Sequence, residues 1–427
     1  MEDLYVSQRS RGVASCVLDG PVDVAALSTA FEQAKARQPT LLTRIVPTPT
    51  GHALALLSEA PRLHLRIWTR DESAYRQELN TPLPVGGPLV RVTLFSTPDG
   101  KRHLFVLAVD HLIGDGRSMI TLLNRVWSYY QEHTGLAEGR CPPPEPTAGF
   151  PAPVSTLLPR SGEGEDEEYA KRRIEDARLH PVELVPYDIP ASGRNEAAQP
   201  HQIDVQRILL GAHQTSRLLE RTRTERLTAH ALLSTALLMS ARRCFDGEGL
   251  RDLACLSPID LRPRLSPPLP ADTMVAAVTA HLQRLAVSPG SEPLQLARRV
   301  NNELRDFLKR GSHFREMRIM PAVRRHPALQ LSTVIVSNMG KMTAPCLPGG
   351  LHMSDVRLVP ARENYYLQAG RSPIMASAVS FQGQLAIELP YHTACFSTAL
   401  MRKLRDDTRA ILLAFAGEQQ PFPAPKA

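Results

Sequence analysis

The stretch Leu107–Met119, LAVDHLIGDGRSM, places His111 after an apolar run and Asp115 four residues later, between Gly114 and Gly116. An imidazole titrates near neutrality, so it can take a proton from an attacking hydroxyl or amine and give it back. Asp115 can orient that imidazole, as the carboxylate of a catalytic triad does. It can equally pin the loop by an ion pair to an arginine elsewhere. Asp110, His111 and Asp115 are also metal-ligand types, but no second histidine cluster accompanies them, and no metal is expected. The plainer alternatives are a histidine satisfied by its surroundings and an Asp-Gly turn. The whole order of features singles the stretch out: an apolar strand, His, three residues, Asp-Gly, then a helix. Catalytic groups often sit on loops held by rigid elements.

The flanking pattern supplies those elements. Leu104–Val109, LFVLAV, is apolar at every position and reads as a central strand buried on both faces. With residues 89–96 it forms a hairpin around Pro98-Asp99-Gly100. Residues 117–135 read as an amphipathic helix with Met119, Leu122, Leu123, Val126 and Tyr130 on one face and Gly135 as its stop. Upstream, residues 14–46 read as strand, turn, helix, turn, strand, with Asp23 as the helix cap and Leu27, Ala30, Phe31 and Ala34 at helical spacing. RLHLRIWTR alternates and adds a strand.

Residues 138–200 are rich in Pro, Gly and acid and read as a linker or surface excursion carrying one short exposed helix, EEYAKRRIEDARLH. The periodic pattern returns near residue 201. A strand and two helices follow, the second from Thr228 to about Arg243 and apolar all round, hence buried. DLACLSPIDLRPRL, MVAAVTAHLQRL and LQLSTVIVSNMGKM read as strands, PLQLARRVNNELRDFLKRG as a helix. PIMASAVSFQGQLAIELPYH reads as a hairpin around Gln382-Gly383, and FSTALMRKLRDDTRAILLAFAG as a closing helix. The expected organisation is residues 1–137, an excursion over 138–200, and residues 201–427. The two main parts mix strands and helices in similar proportion, as α/β domains with mixed sheets do.

The composition narrows the classes. The chain has 427 residues, a formal net charge of +7, and six cysteines without a CxxC pair. That spacing argues against a zinc site and a disulfide framework. No apolar signal segment or membrane span is evident, so a cytoplasmic monomer is expected. The basic surplus suits solvated arginine-rich faces or docking of an acidic partner. With 5% aromatic residues and no recognition motif, nucleic acid is not expected.

His111-Leu-Ile-Gly-Asp115-Gly116 resembles the HHxxxDG motif of acyltransferases with the chloramphenicol-acetyltransferase-like fold. That superfamily includes nonribosomal peptide condensation domains, plant hydroxycinnamoyl-type transferases and alcohol acetyltransferases. SPIDLRPRL resembles the PVDLR segment of the second domain, and STVIVSNMGKM the SNxG strand of the alcohol acetyltransferase branch. The opening strand-helix-strand and the closing hairpin and helix also match in order. The phthiocerol/phthiodiolone dimycocerosyl transferase type is the nearest in pattern. The resemblance implies two similar α/β domains set in a V with a tunnel between them. It also implies an acyl donor held as a thioester, on coenzyme A or a phosphopantetheinyl carrier protein, with no permanently bound cofactor. The acceptor is then a small-molecule alcohol or amine.

By matched position, His111 is the catalytic base, acting without an acyl-enzyme. Asp115 and Gly116 are structural, with Arg262 as the candidate partner of Asp115. No DFGWG is present. Asn338 or Ser337 of SNMG could donate to an oxyanion, against the alternative of a polar strand end with Gly340 as its turn. Asp110 departs from the motif, replacing its first histidine. An acid beside the base is expected to raise its pKa or displace it. Two further readings stand beside the acyltransferase: a non-catalytic docking relative in an assembly line, which Asp110 alone supports, and a condensation-type enzyme forming amides or rings.

Overall fold

The structure is a computed structural model and describes residues 9–49, 51–134, 149–189, 202–345, 347–362 and 371–418. In chain order the first elements are β1 (Ser10–Asp19), α1 (Val24–Arg37), β2 (Thr43–Thr48), β3 (Gly51–Leu56), β4 (Leu63–Ile67), α2 (Ser73–Asn80), β5 (Val90–Ser96), β6 (Arg102–Asp110) and α3 (Gly116–His133). Then come α4 (Glu165–Leu179), β7 (Val185–Pro186), β8 (Ile203–Leu210), α5 (Ala212–Thr224), α6 (Ala229–Arg242), β9 (Arg251–Asp260) and β10 (Val278–Val287). The last are α7 (Pro293–Lys309), α8 (Ser312–Arg318), α9 (Met320–Arg325), β11 (Val334–Met342), β12 (His352–Arg362), β13 (Arg371–Ser372), β14 (Ile374–Phe381), β15 (Gln384–His392) and α10 (Thr398–Phe415).

The chain forms two compact units, each α/β with a mixed sheet. They do not follow the division expected from composition. The first takes in Met1–Leu158 together with Asp260–Ala277 and Lys341–Asn364; the second holds Pro159–Ile259, Val278–Gly340 and Tyr365–Ala427. Residues 201–427 are therefore not one unit. The reason is pairing: β12 is hydrogen-bonded to β1 along its length, from Ser10 opposite Arg362 to Asp19 opposite His352.

The first unit is built on a five-stranded sheet in the order β12-β1-β6-β5-β4. β6 lies between β1 and β5, and from His103 to Asp110 every residue is buried, as its unbroken apolar run requires. α1 begins where Asp23 Oδ1 accepts the Ala26 N–H at 3.0 Å. The same residue's N–H donates to the Tyr130 hydroxyl of α3 at 2.9 Å, tying the two helices. α3 buries Met119, Leu122, Leu123, Val126, Trp127 and Tyr130. The Trp127 ring meets Phe105 of β6 edge-on at 5.2 Å and Tyr130 at 5.4 Å. α3 ends at His133 with Thr134 as its cap; the expected stop, Gly135, lies outside the described residues.

The second unit has a six-stranded sheet, β10-β9-β11-β14-β15-β8. α6 is capped by Thr228, whose hydroxyl accepts the Ala231 N–H at 3.2 Å, and is buried from Ala231 to Arg242. The β14–β15 hairpin turns on Gln382 and Gly383, both at positive φ (48° and 80°), the backbone of a two-residue turn that matches strand twist. The acidic excursion differs from its compositional reading. α4 buries no residue fully, yet it is docked. The Tyr169 hydroxyl and Arg173 Nε both donate to Glu316 of α8, at 2.6 and 2.8 Å, and Asp176 pairs with Arg284 of β10.

Among the described residues no helix is long and apolar enough to cross a membrane. Trp127→Ala removes the fully buried ring that joins α3 to β6. Denaturant unfolding should show a loss of about 3–5 kcal/mol; a loss below about 1 kcal/mol would mean that α3 does not depend on this contact.

Candidate functional site

β6 delivers His111 at the end of its ladder. The His111 N–H donates to the Ser10 carbonyl of β1 at 2.9 Å, so the residue just past the strand is still held by the sheet. The chain then turns: the Ile113 N–H reaches the Asp110 carbonyl at 3.2 Å, and the Leu112 N–H reaches Asp110 Oδ1 at 2.9 Å. Gly114 sits where a Cβ would come within 3.1 Å of the Met274 methyl and 3.3 Å of Ser118 Cβ, so its missing side chain lets the loop close against residues 273–277.

Asp115 ends the turn and starts α3. Its Oδ1 accepts the Ser118 N–H at 3.0 Å and the Ser118 hydroxyl at 3.2 Å. Its Oδ2 accepts Arg262 Nη1 at 2.8 Å and the Ala277 N–H at 3.0 Å. Arg262 is itself 2% exposed. Its Nη2 donates to Ser118 Oγ (2.7 Å), the Val275 carbonyl (2.7 Å) and the Thr273 carbonyl (3.2 Å), while Nη1 also reaches Asp260 Oδ1 at 3.1 Å. Burial alone would lower the Arg262 pKa, but the Asp115 and Asp260 carboxylates hold it above its usual value. The guanidinium stays charged, and Asp115 is engaged on both oxygens by groups other than the imidazole.

His111 is partly buried. Loss of hydration pushes its pKa below the ordinary 6.5, and the Arg362 charge at the end of β12 adds to this. Its own backbone carbonyl and the Asp115 carboxylate pull the other way without prevailing. The acid next in sequence therefore does not leave the base with a raised pKa, contrary to what its position suggests. The ring is neutral at pH 7 and able to accept a proton.

The other sequence candidates are placed as follows. Gly116 is the first residue of α3. Ser337 and Asn338 lie on β11 in the second unit. Ser337 is buried, its hydroxyl 4.0 Å from the Met339 sulfur. Asn338 is exposed, and its carbonyl oxygen accepts the Gly340 N–H at 3.0 Å, a local turn with Gly340 at φ 74°. Sequence reasoning missed Ser118 and Arg362. Ser118 carried a usable signal, standing three residues after the capping Asp115. Arg362 carried none, since only the β1–β12 pairing brings it near. Among the described residues no group of three or more His, Cys, Asp or Glu side chains could hold a metal ion.

Residues 199–390 match the sequence model of the family described as phthiocerol/phthiodiolone dimycocerosyl transferase C-terminus. Over 98% of its length the chain is 24% identical to a phthiocerol/phthiodiolone dimycocerosyl transferase of Mycobacterium sp. (strain JLS), covering 96% of that protein. The chain is an acyltransferase. The fold of this acyltransferase is that of polyketide synthase associated protein 5 from Mycobacterium tuberculosis, with a TM-score of 0.71 at 19% identity, covering 97% of this chain and 96% of that one. It is also that of TRI3 trichothecene 15-O-acetyltransferase from Fusarium sporotrichioides, with a TM-score of 0.75 at 12% identity, covering 97% and 93%.

Breaking one side of a buried, hydrogen-bonded pair leaves an uncompensated charge. Asp115→Ala and Arg262→Met should each cost the acyltransferase about 3–5 kcal/mol in denaturant unfolding, and the double variant less than their sum. Strictly additive losses below about 1 kcal/mol each would show that the pair does not brace the loop.

Proposed function

We propose that the chain moves an acyl group from a thioester, carried on a phosphopantetheinyl carrier protein or on coenzyme A, to a hydroxyl or amine of a natural-product or lipid acceptor. The observation that carries the reading is the state of His111: a neutral imidazole at the end of a buried strand, on a loop whose Asp115 is committed to Arg262. The similarity to proteins named phthiocerol/phthiodiolone dimycocerosyl transferase supports transfer of an acyl group.

The chemistry follows from the ring. The neutral His111 nitrogen takes the proton of the acceptor hydroxyl as its oxygen attacks the thioester carbonyl. The C–O bond forms and the carbonyl becomes an oxyanion. Collapse of that intermediate breaks the C–S bond, and the thiolate leaves with the proton held by the imidazolium. The net change is thioester plus alcohol to ester plus thiol, with His111 restored and no acyl group on the enzyme. An amine acceptor gives an amide by the same steps.

Incubation with a panel of acyl thioesters and alcohol or amine acceptors, read by mass spectrometry, should show product with the wild type. His111→Ala should lower kcat by about 10²–10⁴ at an unchanged melting temperature. Full transfer by that variant would remove His111 from the mechanism.

A further inference from the structure

Asp110 replaces the first histidine of the motif, and the strand ladder indicates what it does instead. β1 and β6 run antiparallel with Arg11 opposite Asp110. The His111 N–H is used on Ser10, while the Asp110 N–H points to the other neighbour and donates to Leu89 at 2.8 Å. Arg11 and Asp110 are thus a non-hydrogen-bonded pair of the ladder. Such residues project to the same face with their Cα atoms about 4.5 Å apart, the closest side-chain approach a sheet offers. Both are buried, Arg11 to 2% exposure and Asp110 to 8%. Arg11 Nη2 also donates to the Leu79 carbonyl near the end of α2, at 2.7 Å. One oxygen of Asp110 accepts the Leu112 N–H, and the register sets the residue directly opposite Arg11. Burying either charge alone would be costly, and each compensates the other.

We propose that Arg11 and Asp110 form a buried ion pair that positions His111. It fixes the last rung of β6 and neutralises the acid next to the base. Side chains alternate across a strand, so Asp110 faces Arg11 while His111 leaves on the opposite side. The other charged groups acting on the base are Asp115 from the loop and Arg362 from β12. On this account the acid is a matched replacement rather than damage to the motif, and Asp110→His, which restores the motif, would set a histidine against Arg11. The positioning role rests on the reading of His111 as the base.

The test uses the full chain and the variants Arg11→Met, Asp110→Asn, their double, and Asp110→His. Thermal unfolding, NMR titration of the His111 imidazole, and transfer from acyl-CoA to an alcohol are measured for each. Arg11→Met should raise the imidazole pKa, Asp110→Asn should lower it, and the double should return it toward wild type with stability above either single. Asp110→His should lower kcat about tenfold to a hundredfold with KM little changed. If Arg11→Met does not fold, Arg11→Lys, which keeps the charge, should fold and titrate as wild type. Unmoved titrations with additive stability losses, or a gain in kcat for Asp110→His, would overturn the pair. If the titrations couple as stated while the wild type transfers no acyl group, the ion pair stands and the proposed function falls.

Discussion

The site depends on one buried ion pair, Asp115 with Arg262. Taking two charges out of water costs several kcal/mol per ion, and attraction alone rarely returns it unless the remaining hydrogen-bonding capacity is filled. Here it is filled. Asp115 receives two donors on each oxygen, and Arg262 spends its terminal nitrogens on two carboxylates, the Ser118 hydroxyl and two carbonyls. The pair joins the start of α3 to the segment 260–277, which lies far along the chain. The turn carrying His111 is thereby held at both ends: by β1 at the Ser10 carbonyl and by Arg262 at Asp115.

This arrangement separates two roles that the sequence alone left joined. An Asp four residues after a His can orient it, as in a triad, or serve as a brace. With both Asp115 oxygens engaged elsewhere, the imidazole feels that carboxylate only as a nearby charge. Burial dominates its titration, so the ring stays neutral and basic at physiological pH. The same economy appears at Asp110. Its carboxylate accepts the Leu112 N–H of the turn, opposite Arg11 in the ladder.

What was legible in the sequence was local. The unbroken apolar run 104–109 marked the central strand, Asp23 and Thr228 marked helix starts, and Gln382-Gly383 marked a hairpin, because each signal acts within a few residues. The DLR segment pointed to Arg262 through its resemblance to a family motif. What was not legible depends on pairing between distant segments. β12 joins β1 across more than three hundred residues, and with it the unit boundaries and the position of Arg362 change. The acidic composition of 138–200 did not reveal that Val185 joins the hydrophobic core of the second unit, nor that α4 docks through Tyr169, Arg173 and Asp176. Composition reports how much a segment can bury, not which charges it will meet.

The proposed mechanism has a neutral, braced His111 take the acceptor's proton. The most direct measurement sets the acid limb of the wild-type pH profile of kcat/KM beside the NMR titration of the His111 ring in the same protein. The account predicts that both midpoints coincide and lie below 6.5, because protonating the imidazole abolishes its basic form. A profile that falls at a pH where the ring does not titrate, or stays flat while it does, would contradict it.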